Sequence, residues 1–149
     1  MGFKPSFKAS VFIGVVVVLI VWWFIGLYIV TIPGPVITST GFAKIKPQLA
    51  RVSFTSRGEF SGVFTNGVGT TIEIKGIYLE DEGYWNISCQ AVPDIKLIES
   101  GKTFNVRAEN CGLGEHGGIY NLKVRVDYEL IDAEGDTKTD SGTIRGPFE

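Results

Sequence analysis

The chain has 149 residues, a formal net charge of −2 and one histidine, so it lacks the strongly basic character of proteins that bind nucleic acid. Two cysteines and a single histidine cannot supply the four side-chain ligands of a structural zinc site. The overall composition is otherwise ordinary for a folded protein. The positions of the hydrophobic and charged residues along the chain are therefore more informative than their totals.

An uncharged hydrophobic run extends from Val11 to Ile32, close to the start of the chain. Lipid offers the backbone no hydrogen-bond partners, so a single segment crosses it only as a helix of about 20 apolar residues. At 1.5 Å per residue the run reaches roughly 33 Å, enough to span the hydrocarbon core. The sequence therefore predicts a transmembrane helix over residues 11–32, with membrane lipid as a partner. The alternative is a long helix buried in a protein core.

The basic residues around this run predict its orientation. Lys4 and Lys8 precede it, and no Lys or Arg follows before Lys44. The positive-inside rule then places residues 1–10 in the cytoplasm and the rest of the chain outside the membrane. Residues 33–48 are predicted to be a linker and residues 49–149 an extracellular domain. No small-residue cleavage site follows the run, so we expect a retained anchor rather than a removed signal.

Two adjacent tryptophans, Trp22 and Trp23, lie near the centre of the hydrophobic run. Tryptophan prefers the two interfaces of a membrane, so a central position is unusual. Either these side chains face lipid, or they form a helix–helix contact. Consecutive residues of a helix point about 100° apart, so one partner helix would cover mainly one of the two.

Alternation of apolar and polar residues predicts strands in the rest of the chain. Tyr120 to Leu130 alternates throughout, which is typical of a strand with one buried face. Weaker versions of the pattern predict further strands at residues 36–40, 51–54, 60–65, 70–79, 85–89, 103–109 and 139–145. Within 70–79 the alternation changes phase at Gly76, which predicts a β-bulge there.

Frequent turns rich in Gly and Asp separate these strands, and no amphipathic helix interrupts them. About seven short strands with such turns predict an all-β fold, an immunoglobulin-like antiparallel β-sandwich preceded by the single transmembrane helix. All 16 acidic residues and 12 of the 14 basic residues follow the run, so this region carries a net charge of −4. Its acidity gives no reason to expect binding to nucleic acid.

Cys89 and Cys111 are the only cysteines. Disulfides form in oxidising compartments, so an extracellular domain predicts one bond between them, the alternative being two buried thiols. Asn86-Ile87-Ser88 is an N-x-S sequon, and the alternation places Asn86 on an outer face. Asn86 is therefore a candidate N-glycosylation site, although so short a motif also arises by chance.

The sequence offers no convincing catalytic site. His116 lies in a glycine-rich loop, where a solvated residue is the ordinary case. The run Gly112 to Gly117 fits the G-x-G-x-x-G pattern, but a strand rather than a phosphate-binding helix is predicted to follow it. Asp132, Glu134 and Asp136 form an acidic turn without the ligand spacing of an EF-hand. We therefore expect no enzyme, and no catalytic, cofactor or metal residues.

Several short fragments resemble the extracellular domains of archaeal type IV pilin-like surface proteins: Asn66 to Ile72, Asn110-Cys111-Gly112, Val126-Asp127-Tyr128 and Ser141 to Gly146. The opening Met1-Gly2-Phe3 with an early hydrophobic run is also similar to archaellum accessory proteins. This resemblance implies an N-terminal helix that packs with other helices, and a β-sandwich that forms an outer surface and is often glycosylated.

The leading hypothesis is a non-enzymatic surface protein whose helix contacts other copies and whose β-domain makes extracellular contacts. A second hypothesis is a single-pass accessory subunit of an integral membrane complex. A third is a carbohydrate-binding or adhesion module that uses exposed aromatics such as Tyr84. The expected location is the cell membrane, with the C-terminal domain outside, or an extracellular filament.

Overall fold

The computed structural model describes residues 7–30, 35–133 and 135–149, with helix side chains described over residues 14–25. The chain divides into two compact units, Met1–Gly34 and Pro35–Glu149. Most of the cytoplasmic segment predicted for residues 1–10 lies outside the described residues. Pro33 and Gly34, the first residues of the predicted linker, also lie outside the described residues.

The first unit contains one helix, α1, which runs from Phe7 to Val30. The side chains of this helix are described from Gly14 to Ile25. Across the described residues, no helix combines the length and apolar character needed to cross a bilayer. This finding corrects the expectation of a transmembrane helix over residues 11–32.

The second unit consists of ten strands and one short 3-10 turn at Leu49–Arg51. The strands are β1 Thr38–Thr40, β2 Ile45–Pro47, β3 Ser53–Phe54, β4 Phe60–Asn66, β5 Ile72–Asp81, β6 Ser88–Pro93, β7 Leu97–Ile98, β8 Thr103–Ala108, β9 Ile119–Leu130 and β10 Thr137–Pro147. Strands β1 and β2 fall within residues 33–48, the stretch predicted to be a linker, and the folded unit begins at Pro35.

The strands form one continuous antiparallel sheet that is nearly closed and barrel-like, in the order β1-β10-β9-β5-β6-β8-β4-β2. The prediction of an immunoglobulin-like sandwich of about seven strands was therefore wrong. Strand β6 is the reason. Its residues Ser88 to Ala91 pair with β5, whereas Val92 and Pro93 pair with β8. One strand thus joins two groups of strands that a sandwich would keep as separate layers.

The predicted alternation is confirmed in the strands that build the core. Tyr120, Leu122, Val124, Val126 and Tyr128 are all buried on the inner face of β9. Strand β5 likewise buries its isoleucines and Leu79 on both sides of Gly76. The pairing of β5 with β9 shifts register between Ile74 and Gly76, which confirms the β-bulge.

The two ends of the sheet, β1 and β2, are brought together by a buried carboxylate. Asp140 of β10 is only 6% exposed. It accepts backbone hydrogen bonds from Ala43 at 3.2 Å, Lys44 at 2.7 Å and Ile45 at 2.6 Å. Ala43 and Lys44 belong to the segment that connects β1 to β2, and Ile45 begins β2, so one side chain fixes that crossing to β10.

Candidate interaction surfaces

Helix α1 presents apolar side chains on every side. No Asp, Glu, Lys or Arg occurs between Gly14 and Ile25, and Trp22 and Trp23 are 77% and 72% exposed. A soluble helix normally keeps one polar face, and a helix that is apolar all round is normally covered by other structure. The described helix therefore carries a large surface that water solvates poorly.

One stripe of α1 forms a groove with a volume of about 350 Å³. Of the two tryptophans, only one lines this groove. The groove is lined by Val16, Leu19, Ile20, Trp23 and Phe24. These positions recur at intervals of three and four residues, which is the pattern of a helix–helix seam. Trp23 belongs to this stripe and Trp22 does not, as the 100° offset between neighbours requires.

The predicted disulfide between Cys89 and Cys111 is confirmed. Its Cα atoms are 4.8 Å apart, and it closes a separation of 22 residues. Cys111 is buried, and the neighbouring backbone is also paired because Ser88 N–H donates to the Cys111 carbonyl at 3.2 Å. The bond therefore fixes the start of β6 to the loop that follows β8.

Beside the disulfide, a row of aromatic rings leads from the core to the surface. Phe54, Tyr120 and Phe148 are buried and pack on each other with centroids 5.0–5.3 Å apart. Trp85 continues the row at 5.3 Å from Phe148, and its Nε1–H donates to the Ile119 carbonyl at 3.0 Å. Trp85 is thus held by both packing and a hydrogen bond.

Glycines make room for these rings. A Cβ atom at Gly118 would lie 2.9 Å from the Trp85 ring, and one at Gly114 would lie 2.5 Å from the Phe148 ring. Any side chain at either position would push a ring out of place. Gly114 and Gly118 therefore serve aromatic packing, and a strand, β9, follows them as predicted.

The row of rings ends at Tyr84, which is 90% exposed and contacts Trp85 edge-on at 5.4 Å. Asn86, the sequon asparagine, is also exposed and lies just before β6. Burial alternates along this segment, because Trp85 and Ile87 turn inward while Tyr84 and Asn86 face water. The candidate glycosylation site and an exposed aromatic ring therefore lie two residues apart in the same segment.

The acidic and histidine residues considered from the sequence do not converge. His116 is exposed in its loop, and Thr70 donates a hydrogen bond to Asp132. Glu134 lies outside the described residues. Across residues 35–133 and 135–149, no group of three His, Cys, Asp or Glu side chains is arranged to hold a metal ion.

The outer face of β5 and β9 carries paired charges. Lys75 contacts Glu129 at 2.9 Å and Glu73 at 3.0 Å. The hydrogen bonds that Lys75 donates to Glu129 and then to Glu73 raise the pKa of Lys75, and the bond that Glu129 accepts from Lys75 lowers the pKa of Glu129. Because these groups are solvated, the pairs contribute little to stability.

Two buried polar residues that organise the second unit were not predicted from the sequence. Asp140 and Asn66 sit at positions where an apolar residue would be expected from alternation. Asn66 is fully buried, and its Nδ2 donates to the carbonyls of Thr70 and Ile98, each at 2.9 Å. Their partners are backbone groups far away in sequence or in turns, which no local pattern reveals.

No protein-family model, curated protein or solved structure matches this chain.

Proposed function

We propose that this protein is a structural subunit of an extracellular assembly rather than an enzyme. Its helix packs against the helices of other copies, and its β-rich unit forms an outer surface. The observation that carries the proposal is the apolar surface of α1, which includes two tryptophans that are each more than 70% exposed. The resemblance to pilin-like surface proteins is consistent with such an assembly.

The groove on α1 supports association with a second copy. Trp23 and its neighbours form a continuous stripe along the helix. Burying this stripe would stabilise association at about 25 cal/mol for each Å² of apolar surface removed from water. Because the helix is apolar all round, one neighbour would leave other faces uncovered, which favours an assembly of several copies.

The disulfide supports an extracellular location. Disulfides persist in oxidising compartments and are rare in the cytosol, where thiols are kept reduced. Glycosylation of Asn86 forms part of the same proposal. The sequon asparagine is exposed.

The test compares Trp23→Ala with Trp22→Ala in the full-length chain, using analytical ultracentrifugation and negative-stain electron microscopy. Each change removes one indole side chain from the same helix, so the two variants are chemically matched. We expect wild-type protein to form higher oligomers or filaments, and Trp23→Ala to weaken association at least tenfold and more than Trp22→Ala does.

A full-length wild-type chain that remains monomeric at micromolar concentration would contradict the proposal. If the two changes weakened association equally, the helix–helix contact could not be assigned to the stripe that contains Trp23. Purification from native cells in a fixed ratio with unrelated membrane proteins would favour the accessory-subunit hypothesis over self-assembly.

A further inference from the structure

The segment that carries Asn86 is held firmly in place. Asp81 N–H donates to the Ile87 carbonyl at 3.0 Å, and Glu82 N–H donates to the Asn121 carbonyl at 2.9 Å. On the other side the Asn86 carbonyl lies against Gly112, where an added Cβ would come within 2.9 Å of it. The disulfide follows three residues later. The Asn86 amide therefore projects from a fixed backbone rather than from a free loop.

The Tyr84 ring is exposed to solvent, although Trp85, the residue it packs against, is held in place. Only the Trp85 contact restrains it, and 90% of the residue remains accessible. An aromatic ring fixed at one edge offers a flat apolar face with a polar hydroxyl at its rim. Sugars are complementary to such a face, because one side of a pyranose ring exposes mainly C–H groups while its hydroxyls lie around the edge.

We infer that Tyr84 is a positioning residue for an N-linked sugar at Asn86, and that its ring packs against the C–H face of the first sugar. This inference rests on the proposed glycosylation of Asn86 and is independent of helix association. Tyr84 and Asn86 are separated by a single residue, and both are exposed to solvent.

The attachment step requires a polyprenyl-phosphate-linked sugar and a transferase. The Asn86 amide nitrogen forms a bond to the anomeric carbon as the bond from that carbon to the carrier phosphate oxygen breaks. The amide loses one proton, and the bonding electrons leave with the phosphate. No oxidant or reductant takes part. Tyr84 acts only afterwards, by covering one face of the attached sugar.

The experiment uses the full-length chain secreted from a eukaryotic host and trimmed enzymatically to a single N-acetylglucosamine, with Ser88→Ala as the unglycosylated reference. The thermal midpoint is measured for both forms in wild-type, Tyr84→Ala and Tyr84→Phe backgrounds. Leu113→Ala, an exposed apolar residue of the neighbouring loop, is the control. Proton spectra of the sugar report ring-current shifts from the aromatic ring.

We expect the sugar to raise the midpoint by about 2–4 °C in wild type, Tyr84→Phe and Leu113→Ala, and by less than about 1 °C in Tyr84→Ala. The upfield shifts of the sugar protons should disappear in Tyr84→Ala alone. An attached sugar with the same increment and the same shifts in Tyr84→Ala would overturn the role of Tyr84 and leave glycosylation standing. An unmodified Asn86 in the intact mass of protein from native cells would overturn both.

Discussion

At the scale of single residues, Asp140 makes the clearest contribution to folding. Its carboxylate satisfies three backbone N–H groups that join the two ends of the sheet. Asp140→Ala would leave these donors without a partner, and Ile45 is fully buried. We expect a loss of about 2–4 kcal/mol in the free energy of unfolding, measured by urea titration with far-UV circular dichroism.

Asp136→Ala is the matched control for that change, because Asp136 is an exposed aspartate just before the same strand. It should alter the free energy of unfolding by less than about 0.5 kcal/mol. A similar small effect from Asp140→Ala would show that water or a shifted backbone replaces the carboxylate without loss.

Tyr120 is a second residue whose environment makes a definite prediction. It is fully buried, and its hydroxyl has no partner among the described residues. Tyr120→Phe removes an unsatisfied polar group and keeps the ring that packs on Phe54 and Phe148. We expect the free energy of unfolding at neutral pH to stay equal or rise by about 1 kcal/mol, measured by the same titration.

Ionisation of Tyr120 should lower the stability of the folded protein at high pH. Burial, and then the nearby Glu149 carboxylate, raise the pKa of Tyr120 to about 12. An unfolded tyrosine ionises near pH 10, so above that pH the unfolded state loses a proton that the folded state keeps. Stability from this group is complete below pH 10 and is lost between pH 10 and 12. Tyr120→Phe should therefore flatten the alkaline decline in unfolding free energy, and an unchanged slope would contradict the assignment.

Local sequence patterns predicted many residue environments correctly. The inward residues of β9, the Cys89–Cys111 bond and the exposed Asn86 all follow from alternation or from cysteine count. Asp140 and Asn66 were not predicted, because a buried polar residue depends on the backbone donors and acceptors that tertiary structure brings to it. The unpaired hydroxyl of Tyr120 escaped prediction for the same reason.

At the scale of the elements, the β-bulge at Gly76 packs closely against the side chain of Tyr78. A Cβ at Gly76 would lie 2.8 Å from the Tyr78 ring, and that ring also supports the Arg125 guanidinium at 4.4 Å from its centroid. Gly76→Ala must displace the ring, so we expect a loss of about 1–2 kcal/mol in the free energy of unfolding.

A double-mutant cycle with Tyr78→Ala tests that explanation. Removing the ring removes the three nearest atoms that the added methyl group would meet, so Gly76→Ala should cost at least about 0.5 kcal/mol less in the Tyr78→Ala background. Urea titration of the four proteins gives the coupling energy. Additive effects would mean that the cost of Gly76→Ala comes from the backbone of the bulge and not from the ring.

The long strands were predicted from the sequence, and the short ones only in part. Strands β5, β8 and β9 contain enough residues for alternation to appear, and the turn residues between them mark their ends. The predicted strands at residues 36–40 and 51–54 contain β1 and β3. Strands β2 and β7 were missed, because two or three residues are too few to show a period of two. The change of pairing partner within β6 has no signature in the local sequence. It is this change that makes the strands one continuous sheet rather than the two layers of a sandwich.

At the scale of the whole molecule, the disulfide links the folding of the β-rich unit to the redox state of its surroundings. Replacing both cysteines, as Cys89→Ser with Cys111→Ser, frees a loop spanning 22 positions in the unfolded chain. In the chain-entropy model this lowers the free energy of unfolding by about 3 kcal/mol. Loss of the packed sulfur atoms near the core adds to that effect.

The measurement is urea unfolding of the full-length chain under oxidising conditions, for wild type and the double variant, with far-UV circular dichroism as the signal. Asn110→Gly serves as a control in the same loop, because Asn110 already adopts a positive φ of 57° that glycine accommodates without strain. We expect the control to change the free energy of unfolding by less than about 1 kcal/mol. A double variant as stable as wild type would mean that hydrogen bonds such as Ser88 to Cys111 hold the loop in place without the covalent bond, and the disulfide would then lend no support to an extracellular location.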